Sequence, residues 1–320
     1  MARIKLYRPE IRRAVRAVIG PTVIGLFERL VGRKSWADTQ HFGRRLGALG
    51  FRYHARYRRR TLGNLAYAFG DELSDEEARH IARECLEHHA MLFLEALRMP
   101  SMSEEEILGL VQIRGLEHLE AALEGGRGAV TFSGHFGNWE IGAVRLIYGK
   151  LPLIPLSKPP RSPRLARSIK GIRDRLGFPV IPISEGVKGI MRALKHNQLV
   201  PIMSDRFAWG KGLTVPFFGK PTHVWHTPAM MGQRAGCPII PVHAIRQADG
   251  SYVIEVEPPV EQLHTGDRDF DVWVNTARCM AVLARSIRRA PAQFAWNYEL
   301  WRPGYEFDPP YPFDRLQGLL

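Results

Sequence analysis

The chain has 320 residues, of which 45% are hydrophobic, and a formal net charge of +13. This length and hydrophobic content are enough for a sizeable buried core, and they exclude a disordered or low-complexity protein. Its three cysteines have neither metal-type nor paired spacing, which argues against a zinc site and against a disulfide framework.

The charge excess lies at the amino-terminal end of the chain. Residues 1–60 contain 16 Lys and Arg against 3 Asp and Glu, whereas the remaining 29 basic residues are balanced by 29 acidic ones. Such a block attracts polyanions, either nucleic acid or an anionic membrane surface. Because no known nucleic-acid-binding motif accompanies it, we predict no nucleic-acid partner.

The apolar pattern of the same segment favours a membrane surface. Its longest uncharged run is Ala17 to Phe27, eleven residues, whereas a span needs about 20. We therefore expect residues 1–60 to form basic amphipathic helices that lie on a bilayer and bind its anionic lipids. The alternative is a basic helical hairpin that packs on the main domain with its charges in water.

Residues 61–320 are predicted to form one α/β domain that begins with helices. Ser74 opens a capping box, and the helix that follows extends to about Arg98. Apolar runs then alternate with helical periodicity, which predicts a single, largely parallel mixed sheet flanked by helices. A long loop is predicted around residues 209–219. The predicted strands cover 128–133, 151–156, 179–183, 199–204, 238–246 and 251–257, and the predicted helices cover 138–148, 163–176, 185–196, 226–235 and 269–289.

The strongest candidate for chemistry is His135, which follows the first of these strands. Glu140 comes five positions later, in or near the first turn of the next helix. Open α/β sheets usually bind ligands at the carboxyl edge of their strands. One ring nitrogen of His135 could donate to Glu140, leaving the other as a general base. The alternative is a structural loop histidine with a glutamate that complements the helix dipole.

Several short motifs follow His135 and Glu140 in a recognisable order. They are Lys158-Pro159, Arg173-Asp174-Arg175, Lys188-Gly189, Asp205-Arg206, Val215-Pro216-Phe217-Phe218-Gly219, Thr227-Pro228-Ala229, Gly236 to Pro241 and Pro291 to Trp296. Together they resemble the bacterial lipid A biosynthesis acyltransferases, within the lysophospholipid acyltransferase superfamily. The hallmark of that superfamily is His, four residues, then Asp or Glu, which His135 and Glu140 match.

The resemblance implies a glycerol-phosphate-acyltransferase-like fold and transfer of a fatty acyl group to a hydroxyl. The implied donor is an acyl-acyl carrier protein or acyl-CoA, with no other cofactor and no metal. The implied acceptor is a phosphorylated glycolipid such as a lipid A precursor. The implied location is the cytoplasmic face of the bacterial inner membrane, as a peripheral or monotopic protein that works with acyl carrier protein.

One departure from the family leaves the acceptor open. The family usually has a basic run after its last tryptophan motif, where this chain has Asn297 to Trp301. A lysophospholipid, an ornithine lipid or a phosphoinositol glycan are therefore alternative acceptors. A non-catalytic lipid-binding protein is a further alternative, which the intact His135 and Glu140 argue against.

The remaining site residues follow from the implied substrates. Because the family's acceptors carry phosphate, we expect Lys158, Arg173, Arg175, Asp205 and Arg206 to bind substrate. A solvated helix face for Arg173 and Arg175, and a salt bridge between Asp205 and an arginine, are the alternatives. Phe217 and Phe218 are expected in the acyl-chain pocket or in ordinary core. A nucleophilic Ser133 is disfavoured because the Gly-x-Ser-x-Gly motif is absent.

Overall fold

The computed structural model describes residues 24–157, 170, 171, 174, 177, 179–302, 304 and 307–320. Residues 24–31 are helical. The helices that follow are α1 (Trp36–Tyr53), α2 (Ala55–Phe69), α3 (Asp75–Arg98), α4 (Glu104–Leu110), α5 (Leu116–Glu124), α6 (Trp139–Tyr148), α7 (Gly186–Lys195), α8 (Thr227–Ala235) and α9 (Arg268–Arg289).

The strands form one central sheet and two small two-stranded ones. They are β1 (Val111–Arg114), β2 (Ala129–Ser133), β3 (Leu156–Ser157), β4 (Ile181–Pro182), β5 (Leu199–Met203), β6 (Leu213–Phe217), β7 (Lys220–Val224), β8 (Ile239–Arg246) and β9 (Tyr252–Val256). The central order is β1-β9-β8-β2-β5, in which only the β8–β9 pairing is antiparallel. This confirms a mostly parallel sheet flanked by helices, as the alternating pattern predicts.

The amino-terminal helices pack closely on α3. Added Cβ atoms at Gly43 and Gly47 of α1 would lie 2.7 Å from the Met91 Cα and 2.4 Å from the Glu87 Cα of α3. Glycines one helical turn apart therefore let the two backbones approach each other. Val31, from the segment before α1, is buried against Leu94 and Leu97. Residues 31–53 thus contact the body of the protein, and the expected boundary at residue 60 lies inside α2.

The chain between residues 205 and 224 differs from the prediction of a long loop. Here β6 and β7 form an antiparallel hairpin in which Pro216 pairs with Pro221. The two turn residues, Phe218 and Gly219, have positive φ angles of 52° and 69°. Prolines in the strands and a phenylalanine with positive φ both have low intrinsic preference for a hairpin. The hairpin therefore forms because its strands pack on the core.

No helix in the described residues is both long enough and apolar enough to cross a bilayer. The membrane-association segment is predicted at residues 1–60, of which residues 1–23 lie outside the described residues.

Two buried histidines should make the stability depend on pH. Burial lowers the pKa of His88 to about 3 and that of His243 to about 4, against an ordinary value of 6.5. Between these values the unfolded chain binds protons that the folded chain does not. The free energy of unfolding should therefore fall from pH 6.5 to 4.5, by up to about 1.4 kcal/mol per pH unit for each histidine.

Urea unfolding at pH 6.5, 5.5 and 4.5 measures this slope. The His243→Gln variant should show a shallower dependence, because the protonation step of this histidine is removed. Equal stability at all three pH values would contradict the prediction.

Candidate active site

The site is built where two parallel strands end side by side. Ser133 of β2 pairs in register with Met203 of β5. Two residues beyond each of them, His135 and Asp205 meet, with His135 Nδ1 2.8 Å from the Asp205 Oδ1 atom. The backbone N–H of His135 also donates to the Asp205 Oδ2 atom at 3.0 Å. Both carboxylate oxygens therefore fix the histidine.

Asp205 and His135 differ in their exposure to solvent. The Asp205 side chain has no exposed surface, whereas 17% of the His135 side chain is exposed. Burial alone would raise the pKa of Asp205, but the charge of His135 and the two hydrogen bonds from it hold that pKa below its ordinary value. An ionised Asp205 keeps the proton on Nδ1 and leaves Nε2 to take a proton from a substrate.

Two aromatic rings hold the imidazole edge-on. Its ring centroid lies 5.1 Å from that of Trp139 and 4.7 Å from that of Tyr298. The Arg206 guanidinium stacks on the same Tyr298 ring at 4.8 Å. The His135 carbonyl accepts from the backbone of Ala295 at 2.9 Å. The histidine therefore has little freedom to rotate away from Asp205.

The loop after His135 is fixed by the neighbouring strand β8. Gly137 has a φ of 64°, and a Cβ atom there would lie 2.0 Å from the Ala244 carbonyl oxygen. Its N–H donates to the Gln293 carbonyl, and the Asn138 N–H donates to the Ala244 carbonyl. Only glycine fits so close an approach in this conformation.

A buried polar network supports this loop from below. The Asn138 side chain donates to Glu95 at 2.7 Å, and Glu95 forms an ion pair with Arg246 in which both side chains are almost fully buried. Tyr252 also donates to Glu95, at 2.7 Å. Each buried charge thus has its partners, as a buried ion pair needs if it is not to destabilise the fold.

A large, mainly apolar cavity of about 860 Å³ opens next to Trp139, whose ring contacts the histidine. Its volume lies within the range of ligand pockets. Ser133, Phe136 and Trp139, close to His135 along the chain, line its wall, and Glu140 and Lys211 add charged groups. The apolar part of the lining includes Leu146, Leu153, Ile183, Val187, Ile190, Ile202, Val242 and Ile254. The cavity therefore offers an acyl-sized apolar space, and Trp139 on its wall connects it to the His135 ring.

Comparison with known proteins identifies the family of this chain. The model of the bacterial lipid A biosynthesis acyltransferases matches residues 28–303, most of the chain. The chain belongs to this family. It is therefore an acyltransferase, as the order of its motifs predicts.

Two curated relatives carry a name from the same chemistry. The chain is 30% identical over 206 residues to the phosphatidylinositol mannoside acyltransferase of Mycolicibacterium smegmatis. The aligned region covers 61% of this chain and 67% of the relative. It is 31% identical over 166 residues to the protein of that name in Mycobacterium tuberculosis, covering 49% of this chain. The chain spans about half the length of the latter relative, 52%.

In this acyltransferase His135 Nδ1 contacts Asp205, whereas the sequence analysis predicts that a ring nitrogen of the histidine donates to Glu140. Glu140 lies in the first turn of α6 and on the wall of the apolar cavity. The pairing of β2 with β5 explains the difference, because it brings residue 205 to residue 135 across the sheet edge. The same contact places Asp205 on the histidine, a role different from the substrate binding expected of it.

The expected phosphate ligands are only partly described. Arg206 is exposed and lies near the dyad through its stacking on Tyr298. Lys158, Arg173 and Arg175 lie outside the described residues. Within the described part of the chain, no cluster of three or more His, Cys, Asp or Glu side chains is placed to hold a metal ion.

Phe217 and Phe218 lie in the aromatic core and are not among the residues that line the apolar cavity. Their rings are 4.8 Å apart, and Phe218 contacts Phe69 and Trp296. Arg288 stacks on Phe218 at 5.2 Å. The second of the two expected roles, ordinary core, therefore describes their positions.

The structure adds residues that sequence patterns do not single out. Tyr298 reaches His135 from more than 160 positions away, and no local motif signals that contact. Ser133 Oγ lies 3.0 Å from Nδ1 of the buried His243, on β8. The hydroxyl two residues before His135 is thus engaged by a different histidine.

Proposed function

We propose that this protein transfers a fatty acyl group from a thioester to a hydroxyl of a phosphorylated glycolipid, with His135 as general base and Asp205 as its support. The observation that carries the proposal is the 2.8 Å contact between His135 Nδ1 and buried Asp205 beside an apolar cavity of about 860 Å³. A base at the edge of an acyl-sized space is what direct transfer to an alcohol requires.

The chemistry needs no acylated enzyme. His135 Nε2 removes the proton from the acceptor hydroxyl as that oxygen attacks the thioester carbonyl carbon. The tetrahedral intermediate then expels the thiolate, which takes the proton from the imidazolium, so that the products are an ester and a free thiol. Asp205 stabilises the imidazolium between the two steps, as a buried carboxylate does in other dyads.

For the acceptor we favour a glycosylated phosphatidylinositol. Two relatives that are 30% and 31% identical are named for acylation of phosphatidylinositol mannoside. The chain also lacks the basic carboxyl-terminal run expected of enzymes for lipid A precursors. A lipid A precursor is the second candidate, because the family that matches residues 28–303 is described by that pathway. Arg206, Lys158, Arg173 and Arg175 remain proposed ligands of the acceptor phosphate.

A transfer assay with paired substrates tests the function. The purified protein is given palmitoyl-CoA or palmitoyl-acyl carrier protein together with either a mannosylated phosphatidylinositol or a lipid A precursor. Mass spectrometry of the lipids should show the acceptor mass raised by one acyl group. Thioester hydrolysis with every acceptor left unmodified would contradict the proposed transfer.

We extend the proposal to the location, at the cytoplasmic face of the inner membrane through residues 1–60. The net charge of +13 in this segment supports binding to anionic lipids, at about 1 kcal/mol for each basic residue near the surface. The exposed apolar side chains Leu26, Leu30, Leu49 and Tyr53 belong to the same segment.

Vesicle flotation measures this association. Replacing Arg12, Arg13 and Arg16 by glutamine should weaken binding to anionic vesicles by roughly tenfold or more, and added salt should weaken binding of the unmodified chain. The control replaces Arg79, Arg114 and Arg234, three exposed arginines outside the segment, by glutamine. Equal loss in the control would show that only total charge matters and would contradict the location of the binding segment.

A further inference from the structure

A second cavity, of about 840 Å³, has on its wall one of the two rings that frame the dyad. Tyr298 lines it, and the same ring contacts the His135 imidazole at 4.7 Å. Asn64, also on its wall, donates to the carbonyls of Trp296 and Tyr298. The cavity therefore lies next to the segment from Trp296 to Tyr298, which contacts the catalytic histidine.

One face of α2 gives this cavity a positive wall. Arg56, Arg59 and Arg60 line it together with Gly63 and Tyr67, at the spacing of one helical stripe. Within the part of the chain that the structure describes, none of these three arginines forms an ion pair.

The charges elsewhere on the wall do not neutralise these arginines. Glu299 lines the cavity but lies 3.3 Å from the Arg302 guanidinium, which neutralises it. Asp308 adds a negative charge. Three guanidinium groups without an ion pair thus outnumber the wall's remaining carboxylate, and the cavity keeps a net positive charge.

The opposite wall is aromatic and offers few free polar groups. His223 and Phe307 are stacked, with ring centroids 4.2 Å apart and an interplanar angle of 20°. The hydroxyls of Thr214 and Thr222 already donate to backbone carbonyls at 2.8 Å. Polar recognition in this cavity therefore falls to the arginines, whose planar forks match phosphate oxygens.

The geometry points to a phosphate-binding site in this cavity, in which Arg56, Arg59 and Arg60 bind the phosphorylated head group of one of the two substrates. The inference rests on the proposed acyl transfer, because it assigns the cavity to the donor or the acceptor of that reaction. Both sources present phosphate: the CoA portion of an acyl-CoA, and the head group of a phosphoinositide. The aromatic wall would pack against the ring that either ligand carries next to its phosphate.

Calorimetric titration of the full chain with two soluble probes tests the site. The probes are CoA and glycerophosphoinositol, which carry the two phosphate sources without an acyl chain. Replacing Arg56, Arg59 and Arg60 together by glutamine should weaken binding of one probe at least tenfold, since three charge-assisted contacts are lost. The matched control replaces Arg79, Arg114 and Arg234 by glutamine and should bind that probe as the unmodified chain does.

A second variant keeps the test valid if the triple variant folds poorly. Gly63 lines the cavity, and a Cβ atom there meets no other atom within 4 Å, so Gly63→Glu places a negative charge in the cavity without a clash. Its control is Gly109→Glu on α4, where the added Cβ also meets no atom within 4 Å. Gly63→Glu should weaken the same probe at least tenfold, and Gly109→Glu should leave its binding unchanged.

The outcomes separate the two sources and the two proposals. Weaker binding of CoA assigns the cavity to the donor, and weaker binding of glycerophosphoinositol assigns it to the acceptor. Unchanged binding of both probes in both cavity variants overturns the site, as does a lack of binding by the unmodified chain. The His135→Ala variant should bind the probe normally. If the unmodified protein transfers no acyl group, but its probe binding is lost in the cavity variants, only the proposed function is refuted.

Discussion

Replacing His135 by alanine should lower acyl transfer by about two to four orders of magnitude, the usual contribution of a general base. The imidazole is the group that Asp205 orients, and it lies beside the apolar cavity with one ring nitrogen left for the substrate. Initial rates with saturating donor and acceptor measure the effect.

The control for His135→Ala is the folded state of the variant. The two rings that frame the imidazole, Trp139 and Tyr298, remain, and so does the buried network below the loop. Because buried Asp205 loses its side-chain partner, thermal unfolding should occur at a lower temperature, whereas binding to anionic vesicles should stay close to that of the unmodified protein. Near-normal transfer by a folded His135→Ala protein would show that another group removes the proton.

Replacing Asp205 by asparagine should cost roughly 10²- to 10⁴-fold in turnover, the range expected when the carboxylate of such a pair is lost. The amide oxygen can still accept from the backbone N–H of His135, so the loop should keep its shape. What is lost is the negative charge that keeps the Nδ1 tautomer and stabilises the imidazolium. Turnover with saturating substrates, together with the apparent affinity for the acceptor, separates this loss from a binding defect.

Double variants test whether His135 and Asp205 act as a unit. In the His135→Ala background, Asp205→Asn should cause little further loss, because the residue that it supports is already absent. Glu140→Gln is the matched comparison, since Glu140 lines the cavity and Asp205 occupies the Nδ1 position. If Glu140→Gln is the variant whose effect disappears in the His135→Ala background, the dyad is His135 with Glu140, as the sequence motif suggests.

Elements with local signals could be predicted from the amino-acid sequence alone. Apolar runs bounded by turn residues predicted β2, β5, β8 and β9 close to their observed bounds, and caps and periodicity predicted α3 and α6. The position of His135 at a strand end follows from the same pattern. The ordered motifs also indicated the family, because short motifs in a fixed order are a property of the chain and need no coordinates.

Which side chains meet depends on the packing of segments that are distant in the chain. Asp205 reaches His135 because β5 is the parallel neighbour of β2 in a fixed register, and Tyr298 reaches it by chain closure from the far end. The Pro-containing hairpin of β6 and β7 forms against its local propensities because its strands pack on the core. Local preferences amount to about 1 kcal/mol, whereas burial of a large side chain contributes about 1.5–3 kcal/mol. Contacts between distant segments therefore decide the partner of the histidine, the walls of both cavities and the core position of Phe217 and Phe218.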